Sequence, residues 1–396
     1  MDTALVLLHQ RPVGTLQRLN EDQDFVFAFE EAWLDDPLRP VLGQLFEDRK
    51  PRALKTSGLP CWFAHLLPQG PWRRHLQRWA GLDLEDNDDF GLLLAMGHDL
   101  PGAVTLAPLT RSGPGAALVR AAAPLEAPSG YKFSLAGAQW KLSVQRDKQL
   151  LAPVYGQQGA FIAKFEALAF PHLPRVEGAA TQWARLAGID AHSVELLSTD
   201  EFIDLPAEIP NQERRCLLLR RFDRSPQGAI HMEDFGQVSD IVPANLYKSS
   251  YEAIGALIRW LCPEDKGEYI KRLVFMVLSG NGDAHLKNWS VLYPDGRTAR
   301  LSPAYDLVPT VLYNPNDDLA LTLNGSKSFV IDASALAPLA RALDLGHGEV
   351  ARLATDAWEQ IRDTWARERL HLDLTDNERG RLQQHLDRLP ARLAGP

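Results

Sequence analysis

An apolar helical face that stops at a glycine and hands over to a dense polar loop is the feature that most constrains this chain. Tyr269, Leu273, Val274, Val277 and Leu278 recur at helical spacing up to Gly280. Then follow Asn281-Gly282-Asp283-Ala284-His285-Leu286-Lys287-Asn288. A polar run delivered from the end of a packed helix is a fixed loop rather than a linker. Beyond it, Trp289 to Tyr293 and Thr298 to Leu301 read as two strands joined by a tight Pro294-Asp295-Gly296 reversal. That hairpin returns Ser302-Pro303-Ala304-Tyr305-Asp306 to the side of Asn288.

An isolated Asn-Gly-Asp is ordinarily a surface turn. In this context the residue types specify phosphoryl transfer. Asp283 and Asn288 stand in the Asp-x-x-x-x-Asn spacing of a kinase catalytic loop, where the Asp orients the attacking hydroxyl and accepts its proton and the Asn holds Mg²⁺. Asp306, behind the hairpin, is the second candidate metal ligand. The cofactors this predicts are ATP and Mg²⁺.

Composition sets outer bounds on the alternatives. With 396 residues and 45% hydrophobic content the chain can build two or three packed domains. Its formal net charge of -9 speaks against wrapping nucleic acid unaided, because counterion release needs clustered Lys and Arg. Cys61, Cys216 and Cys262 lie far apart with no Cys-x-x-Cys spacing, as expected in a reducing compartment. Cys61 and His65 alone make no metal site. The opening run, read as a strand with a turn at Val13-Gly14-Thr15, is too short and lacks the basic start of a signal peptide. A cytoplasmic protein without membrane association is expected.

The expected fold class is α+β: a two-lobed, protein-kinase-like fold with a small mixed N-terminal subdomain and a mainly helical C-terminal lobe. Residues 1–106 form the subdomain, with strands at Ala4–Leu8 and Phe25–Phe29 and a helix over Trp72–Ala80. The Ala/Pro/Gly-rich residues 107–130 read as a linker. Residues 131–222 carry strand-like runs at Gln139–Val144, Ala160–Phe165, Val194–Ser198 and Cys216–Arg221. Residues 223–396 carry amphipathic helices at Ser249–Leu261, Glu268–Leu278 and Val350–Arg369.

The small residues Ala136, Gly137 and Ala138, in Ser134-Leu135-Ala136-Gly137-Ala138-Gln139-Trp140-Lys141, let backbone N–H groups approach phosphate oxygens. The same run also reads as an ordinary loop before a strand. Lys164 stands alone in the apolar Phe161-Ile162-Ala163-Lys164-Phe165. Either it pairs with phosphate, or its stem lies over an edge strand with the ammonium in water.

These segments, together with Arg221-Phe222-Asp223-Arg224, His231-Met232-Glu233-Asp234-Phe235-Gly236-Gln237 and Pro303-Ala304-Tyr305-Asp306, resemble the HipA family of bacterial toxin–antitoxin kinases. Phe63-Ala64-His65-Leu66-Leu67-Pro68, Asp89-Phe90-Gly91-Leu92-Leu93 and Pro101-Gly102-Ala103-Val104 are similar to that family's first subdomain, so the resemblance spans nearly the whole chain. It implies a Ser/Thr protein kinase that arrests growth, acts on an aminoacyl-tRNA synthetase, and partners a HipB-like helix-turn-helix antitoxin dimer, with operator DNA engaged mainly through the antitoxin. It implies nucleotide contacts at Ala136, Gly137, Ala138, Gln139, Trp140, Lys141 and Lys164. Further contacts would come from Arg220, Arg221 and Phe222 (through backbone at the adenine edge) and from His285, Leu286, Lys287, Asn288, Tyr305 and Asp306. By the same resemblance Asp283 would be the base, Asn288 and Asp306 the metal ligands, and Ser134 an autophosphorylation site whose phosphate would repel ATP from the adjoining loop; Ser134 also reads as a turn serine. Two positions depart from the pattern: Trp140, often polar or small, and Arg220, commonly Glu.

Two other readings share parts of this pattern. A small-molecule phosphotransferase of the aminoglycoside or choline kinase type uses the same Asp-x-x-x-x-Asn loop and later Asp. A catalytically silent corepressor that only binds the antitoxin would keep the fold, although Lys164, Asp283, Asn288 and Asp306 are all present here.

Overall fold

The computed structural model describes residues 3–19, 24–49, 52–68, 73, 76–77, 88–111, 118–120, 139–146, 150–151, 159–167, 169–203, 205, 209–391 and 393. Of the expected site, Ser134, Ala136, Gly137 and Ala138 lie outside these residues, as does most of Trp72–Ala80, of which Arg73, Leu76 and Gln77 are helical. Strands are numbered in chain order, and so are helices of eight residues or more.

The first sheet is built from β1 (Thr3–Leu8), β2 (Arg11–Arg18), β3 (Asp24–Phe29), β4 (Ala53–Ser57), β5 (Val104–Arg111) and β6 (Leu118–Arg120), in the antiparallel order β4-β3-β2-β1-β5-β6. Helix α1 (Asp89–Met96), N-capped by the Asp88 carboxylate, buries Phe90, Leu92 and Leu93. Two expectations change here. Val13-Gly14-Thr15 is strand rather than turn, and the reversal falls at His9 and Gln10, both at positive φ. Gly14 is needed because the neighbouring strand passes so close that a Cβ would lie 2.2 Å from the Ala28 carbonyl oxygen. The expected linker at 107–130 is also shorter than its composition suggested: Ala107–Arg111 extend β5 and Leu118–Arg120 form β6. Leu106 and Leu109 are buried, and even Pro108 sits in register opposite Ala4.

The second sheet has the order β10-β11-β9-β7-β8, from β7 (Lys141–Arg146), β8 (Leu150–Leu151), β9 (Phe161–Lys164), β10 (Val194–Ser198) and β11 (Arg215–Arg220). These match the expected runs to within two residues except at the short β8. Helix α2 (Leu173–Leu186), which the strand-dominated reading of this region did not contain, packs on β10 and β11. The two sheets share one apolar core, in which Val6, Phe27 and Trp62 meet Leu142, Ala163 and Leu218.

After the β12–β13 hairpin (Arg224–Ser225, Gly228–Ala229), a third sheet orders β14 (His231–Asp234), β15 (Ser290–Tyr293) and β16 (Arg300–Leu301). It lies on a helical body of α3 (Tyr251–Leu261), α4 (Lys266–Ser279), α5 (Ala333–Leu343), α6 (His347–Glu368) and α7 (Asp376–Arg388), whose core centres on Trp183, Tyr269, Trp289 and Trp358. Among the described residues no helix is long and apolar enough to cross a membrane.

Polar clasps hold the first sheet's domain against the rest. Arg221, fully buried, bridges Asp99 (2.8 Å) and Asp223 (2.7 Å). Glu233, also fully buried, accepts hydrogen bonds from Trp62 Nε1 (2.8 Å), Tyr293 Oη (2.6 Å) and the Gln44 N–H (3.1 Å). Burial pushes the Glu233 carboxyl up to about 7 from 4.5, and the donors from Tyr293, Trp62 and Gln44 only partly oppose it. The folded protein therefore holds a proton here, between pH 4.5 and about 7, that the unfolded chain has lost. This group's contribution to stability falls as pH rises through that window. Glu233→Gln should flatten the dependence of melting temperature on pH between about 5 and about 7; a slope equal to the wild type's would remove Glu233 as its source.

Candidate active site

Helix α4 ends at Gly280 in the left-handed region (φ 67°), and the Asn281 N–H reaches back to the Met276 carbonyl at 2.9 Å. Val311 stands where a Cβ at residue 280 would go, 2.4 Å away, so only glycine turns the chain here. The loop that follows is fixed from within. Asn281 Oδ1 accepts from the Asp283 N–H (3.0 Å), the Gly282 N–H donates to Thr310 Oγ1 (2.7 Å), and Asn288 Nδ2 donates to the Asp283 carbonyl (2.7 Å). That last bond engages the Nδ2 end of the Asn288 amide and so fixes its orientation.

The hairpin does what its sequence predicts. β15 and β16 pair antiparallel around a turn with Gly296 at positive φ. Tyr305 Oη donates to the Lys287 carbonyl (2.7 Å) and accepts from Ser290 Oγ (2.6 Å), which pins the returning segment to the loop. Asp306 follows with φ 52°, a left-handed conformation that a non-glycine residue holds only when its surroundings dictate it.

The opposite wall comes from β7 and β9, whose register places Lys141 beside Lys164. Helix α2 adds Glu177. The Lys164 ammonium hydrogen-bonds to both Glu177 and Asp306, and Lys141 Nζ lies 3.6 Å from Asp306 Oδ2. Lys141, Lys164 and Glu177 are buried. Burial alone would pull the Lys164 ammonium down, but the Asp306 and Glu177 carboxylates override it and hold it well above its ordinary value. Burial would raise Asp306, yet Lys141 and Lys164 keep it ionised far below the usual carboxylate range. Lys141 is lowered, chiefly by burial.

Between these walls lies a cavity of about 740 Å³. Ile162, Leu219 and Phe222 give it an apolar side, and Lys141, Lys164, Asp283, Asn288 and Asp306 a charged and polar one. Phe222 leans on Tyr305, ring centroids 5.5 Å apart. Asn288 and Asp306 offer hard oxygen donors. Among the described residues no group of three or more His, Cys, Asp or Glu gathers as a metal cage, and the small donor set fits Mg²⁺, which takes few protein ligands and completes its shell with phosphate and water.

Other expected residues fall differently. Gln139 lines the cavity and donates through Nε2 to the Phe165 carbonyl (2.9 Å). Trp140 packs against the core of the two sheets and Leu286 is buried in the helical core, so neither side chain forms the cavity wall. The apolar character of both explains this. Arg220 and Arg221 border the cavity, but the Arg221 guanidinium is engaged by Asp99 and Asp223 and its N–H by the Ala160 carbonyl (3.0 Å). Lys287 also borders it, while its ammonium donates to the carbonyls of His65 (2.6 Å) and Leu67 (3.2 Å). Burial lowers that ammonium to about 8, against the opposing pull of Asp234.

Sequence reasoning missed Glu177, Tyr247 and His192. Tyr247 Oη donates to Asp283 Oδ1 at 2.5 Å, and His192 is a buried cavity-wall residue held neutral, chiefly by burial. A signal for Glu177 existed: Pro174 at a helix start, followed by Val176, Ala179, Ala180, Trp183 and Ala184 at helical spacing.

Two lobes closing on a cavity with a buried Lys–Glu pair define a protein-kinase-like fold. The chain belongs to the HipA family: residues 4–107 match the HipA N-terminal domain and residues 133–365 the HipA-like C-terminal domain. It is 38% identical over 385 residues to the "Putative kinase Y4dM" of Sinorhizobium fredii (strain NBRC 101917 / NGR234), covering 93% of this chain and 92% of that one. It is 30% identical over 323 residues to "Putative kinase Y4mE" of the same organism, covering 73% of each. Among solved structures, its fold is like that in the complex of the Shewanella oneidensis MR-1 toxin–antitoxin system HipA, HipB and its operator DNA, with TM-score 0.72 and 21% identity over 97% of this chain and 95% of that one.

Glu177→Ala would leave the buried Lys164 with Asp306 as its remaining carboxylate. Truncating one member of a buried charge set costs about 3–5 kcal/mol, so the midpoint of chemical denaturation should fall clearly. The double variant Lys164→Met/Glu177→Leu should recover part of the loss. A Glu177→Ala protein as stable as the wild type would show that Glu177 does not hold the lysine.

Proposed function

We propose that this chain is an ATP-dependent Ser/Thr protein kinase of the toxin–antitoxin type. The observation that carries the reading is Lys164, buried between Glu177 and Asp306. Kinases keep this arrangement to hold the nucleotide phosphates, a lysine paired to a helix glutamate beside the metal-binding aspartate. ATP enters the cavity with its base against Ile162, Leu219 and Phe222 and its phosphates toward Lys141 and Lys164. Gln139, Lys141, Lys164, Arg220, Phe222, His285, Asn288, Tyr305 and Asp306 border the nucleotide. Kinship with HipA proteins supports phosphate contacts from Ala136, Gly137 and Ala138, which lie outside the described residues; Trp140, Arg221 and Leu286 contribute at most backbone groups. Asp306 and Asn288 would hold Mg²⁺, which when bound would supply positive charge against the phosphates.

Asp283 is the catalytic base. The acceptor hydroxyl oxygen forms its bond to the γ-phosphorus as the bond from that phosphorus to the bridging β–γ oxygen breaks. The hydroxyl proton passes to the Asp283 carboxylate and ADP leaves. That carboxylate is about half exposed, at 51%, which suits an acceptor presented on a protein surface better than a small molecule enclosed in the cavity. Kinship with HipA proteins supports an aminoacyl-tRNA synthetase as substrate, autophosphorylation at Ser134, and a HipB-like antitoxin dimer as partner. With a net charge of -9, operator DNA is reached through that antitoxin. The expected compartment is the cytoplasm.

Asp283→Asn should leave ATP affinity nearly unchanged and cut the rate of phosphoryl transfer by roughly 100-fold or more, the scale of a lost general base. Transfer of label from γ-labelled Mg-ATP to proteins of a host lysate measures it, and near-normal transfer would remove Asp283 from the mechanism. Asp306→Ala should weaken Mg-ATP binding far more than binding of ATP without metal. Calorimetry showing equal losses in both would refute the metal assignment.

A further inference from the structure

Asp283 has a neighbour that the phosphotransfer chemistry does not by itself require. Tyr247 follows the short helical turn Pro243–Asn245, and its hydroxyl donates to Asp283 Oδ1 at 2.5 Å. Its ring meets His285 edge-on, centroids 4.8 Å apart and planes at 76°. The segment bearing it is anchored to the catalytic loop on both sides. Buried Leu246 accepts from the Leu286 N–H (3.4 Å), and buried Tyr251 donates through Oη to the Ala284 carbonyl (3.4 Å). Tyr247 is therefore carried at a fixed distance from Asp283 although its own side chain is partly exposed.

His285 approaches the same oxygen. Its Nδ1 accepts from the Lys287 N–H (3.2 Å), which puts the proton of the neutral ring on Nε2, 4.0 Å from Asp283 Oδ1. Burial holds His285 below its ordinary value against the pull of Asp283. Burial also raises the Tyr247 phenol, and Asp283 raises it further, so the hydroxyl stays a donor. Both neighbours address Oδ1 and neither addresses Oδ2.

We propose that Tyr247 is a positioning residue for the phosphotransfer base: its hydroxyl fixes Oδ1 of Asp283 so that Oδ2 receives the proton of the acceptor hydroxyl. The inference rests on the kinase reading of the site. It has the logic of the carboxylate that orients a catalytic histidine: a partner that never meets substrate selects the geometry of the one that does.

The test is a double-mutant cycle on the full chain with γ-labelled Mg-ATP and a host lysate, reading initial rates of label transfer to protein. Tyr247→Phe keeps the ring on His285 and removes only the donor. It should lower the transfer rate about 10-fold, as lost outer-shell partners commonly do, with the KM for ATP and the melting temperature held. In the Asp283→Asn background the same change should have almost no further effect, since the group it positions is gone. A merely structural role would cost the same factor in both backgrounds. That result would overturn the proposal, as would a Tyr247→Phe enzyme as fast as or faster than the wild type, which would make Tyr247 a competitor for the base. Phosphate found on Tyr247 would overturn it too, making the residue an acceptor. Absence of transfer by the wild type would defeat the kinase reading and this inference together, whereas a labelling wild type with an unaffected Tyr247→Phe defeats the inference alone.

Discussion

An ammonium removed from water loses several kcal/mol of solvation, and opposite charges restore it only when they are close and well placed. Lys164 meets that requirement with two carboxylates from different parts of the chain: Glu177 from the helix on the second sheet, and Asp306 from the segment behind the β15–β16 hairpin. The same ion cluster therefore closes the two lobes on each other and creates the cavity. On the proposed reading a nucleotide would use the same charges, its phosphates taking over the lysines and a metal taking over Asp306.

The N-terminal domain is wired into this arrangement rather than appended to it. Lys287, inside the loop from Asn281 to Asn288, donates to the carbonyls of His65 and Leu67. His65 Nε2 bonds the Ile241 carbonyl at 2.6 Å, in the segment that leads to Tyr247. Glu233 and Arg221 make the other two clasps, and both are fully buried. A displacement of the first domain would thus strain the loop that carries Asp283 and Asn288. This gives a physical reason for the two domains to share one core and one chain.

The loop from Asn281 to Asn288 and its returning hairpin were legible in the sequence because their signals are local: an apolar face, a stopping glycine, alternating residues around a turn. Strands β9, β10 and β11 and helices α3, α4 and α6 were legible for the same reason. Helix α2 was also signalled, by Pro174 at its start and apolar residues at helical spacing, but the strand-like runs around it dominated the reading of this region. Glu177 acquires its role only by meeting Lys164, a contact no local pattern encodes. β14 is short and polar, and it is buried because donors from Trp62, Tyr293 and Gln44 satisfy Glu233. At Val13-Gly14-Thr15 and Ala107-Pro108, residue types that usually mark turns serve instead where strands pass close or pair at register. The resemblance implied Lys287 only as one of the nucleotide contacts; that its ammonium meets carbonyls more than two hundred residues away in sequence is a contact that no local pattern encodes.

We propose that the Lys164–Glu177–Asp306 cluster is the nucleotide site of a kinase-like enzyme. A crystal structure of the chain with Mg²⁺ and a non-hydrolysable ATP analogue tests it most directly. The metal is expected on Asp306 and Asn288, with phosphate oxygens against Lys164 and Lys141, the Glu177 pair kept, and the terminal phosphate facing Asp283. An analogue bound elsewhere, or one bound here with Asp306 still clamped to Lys164 and no metal between Asp306 and Asn288, would contradict it.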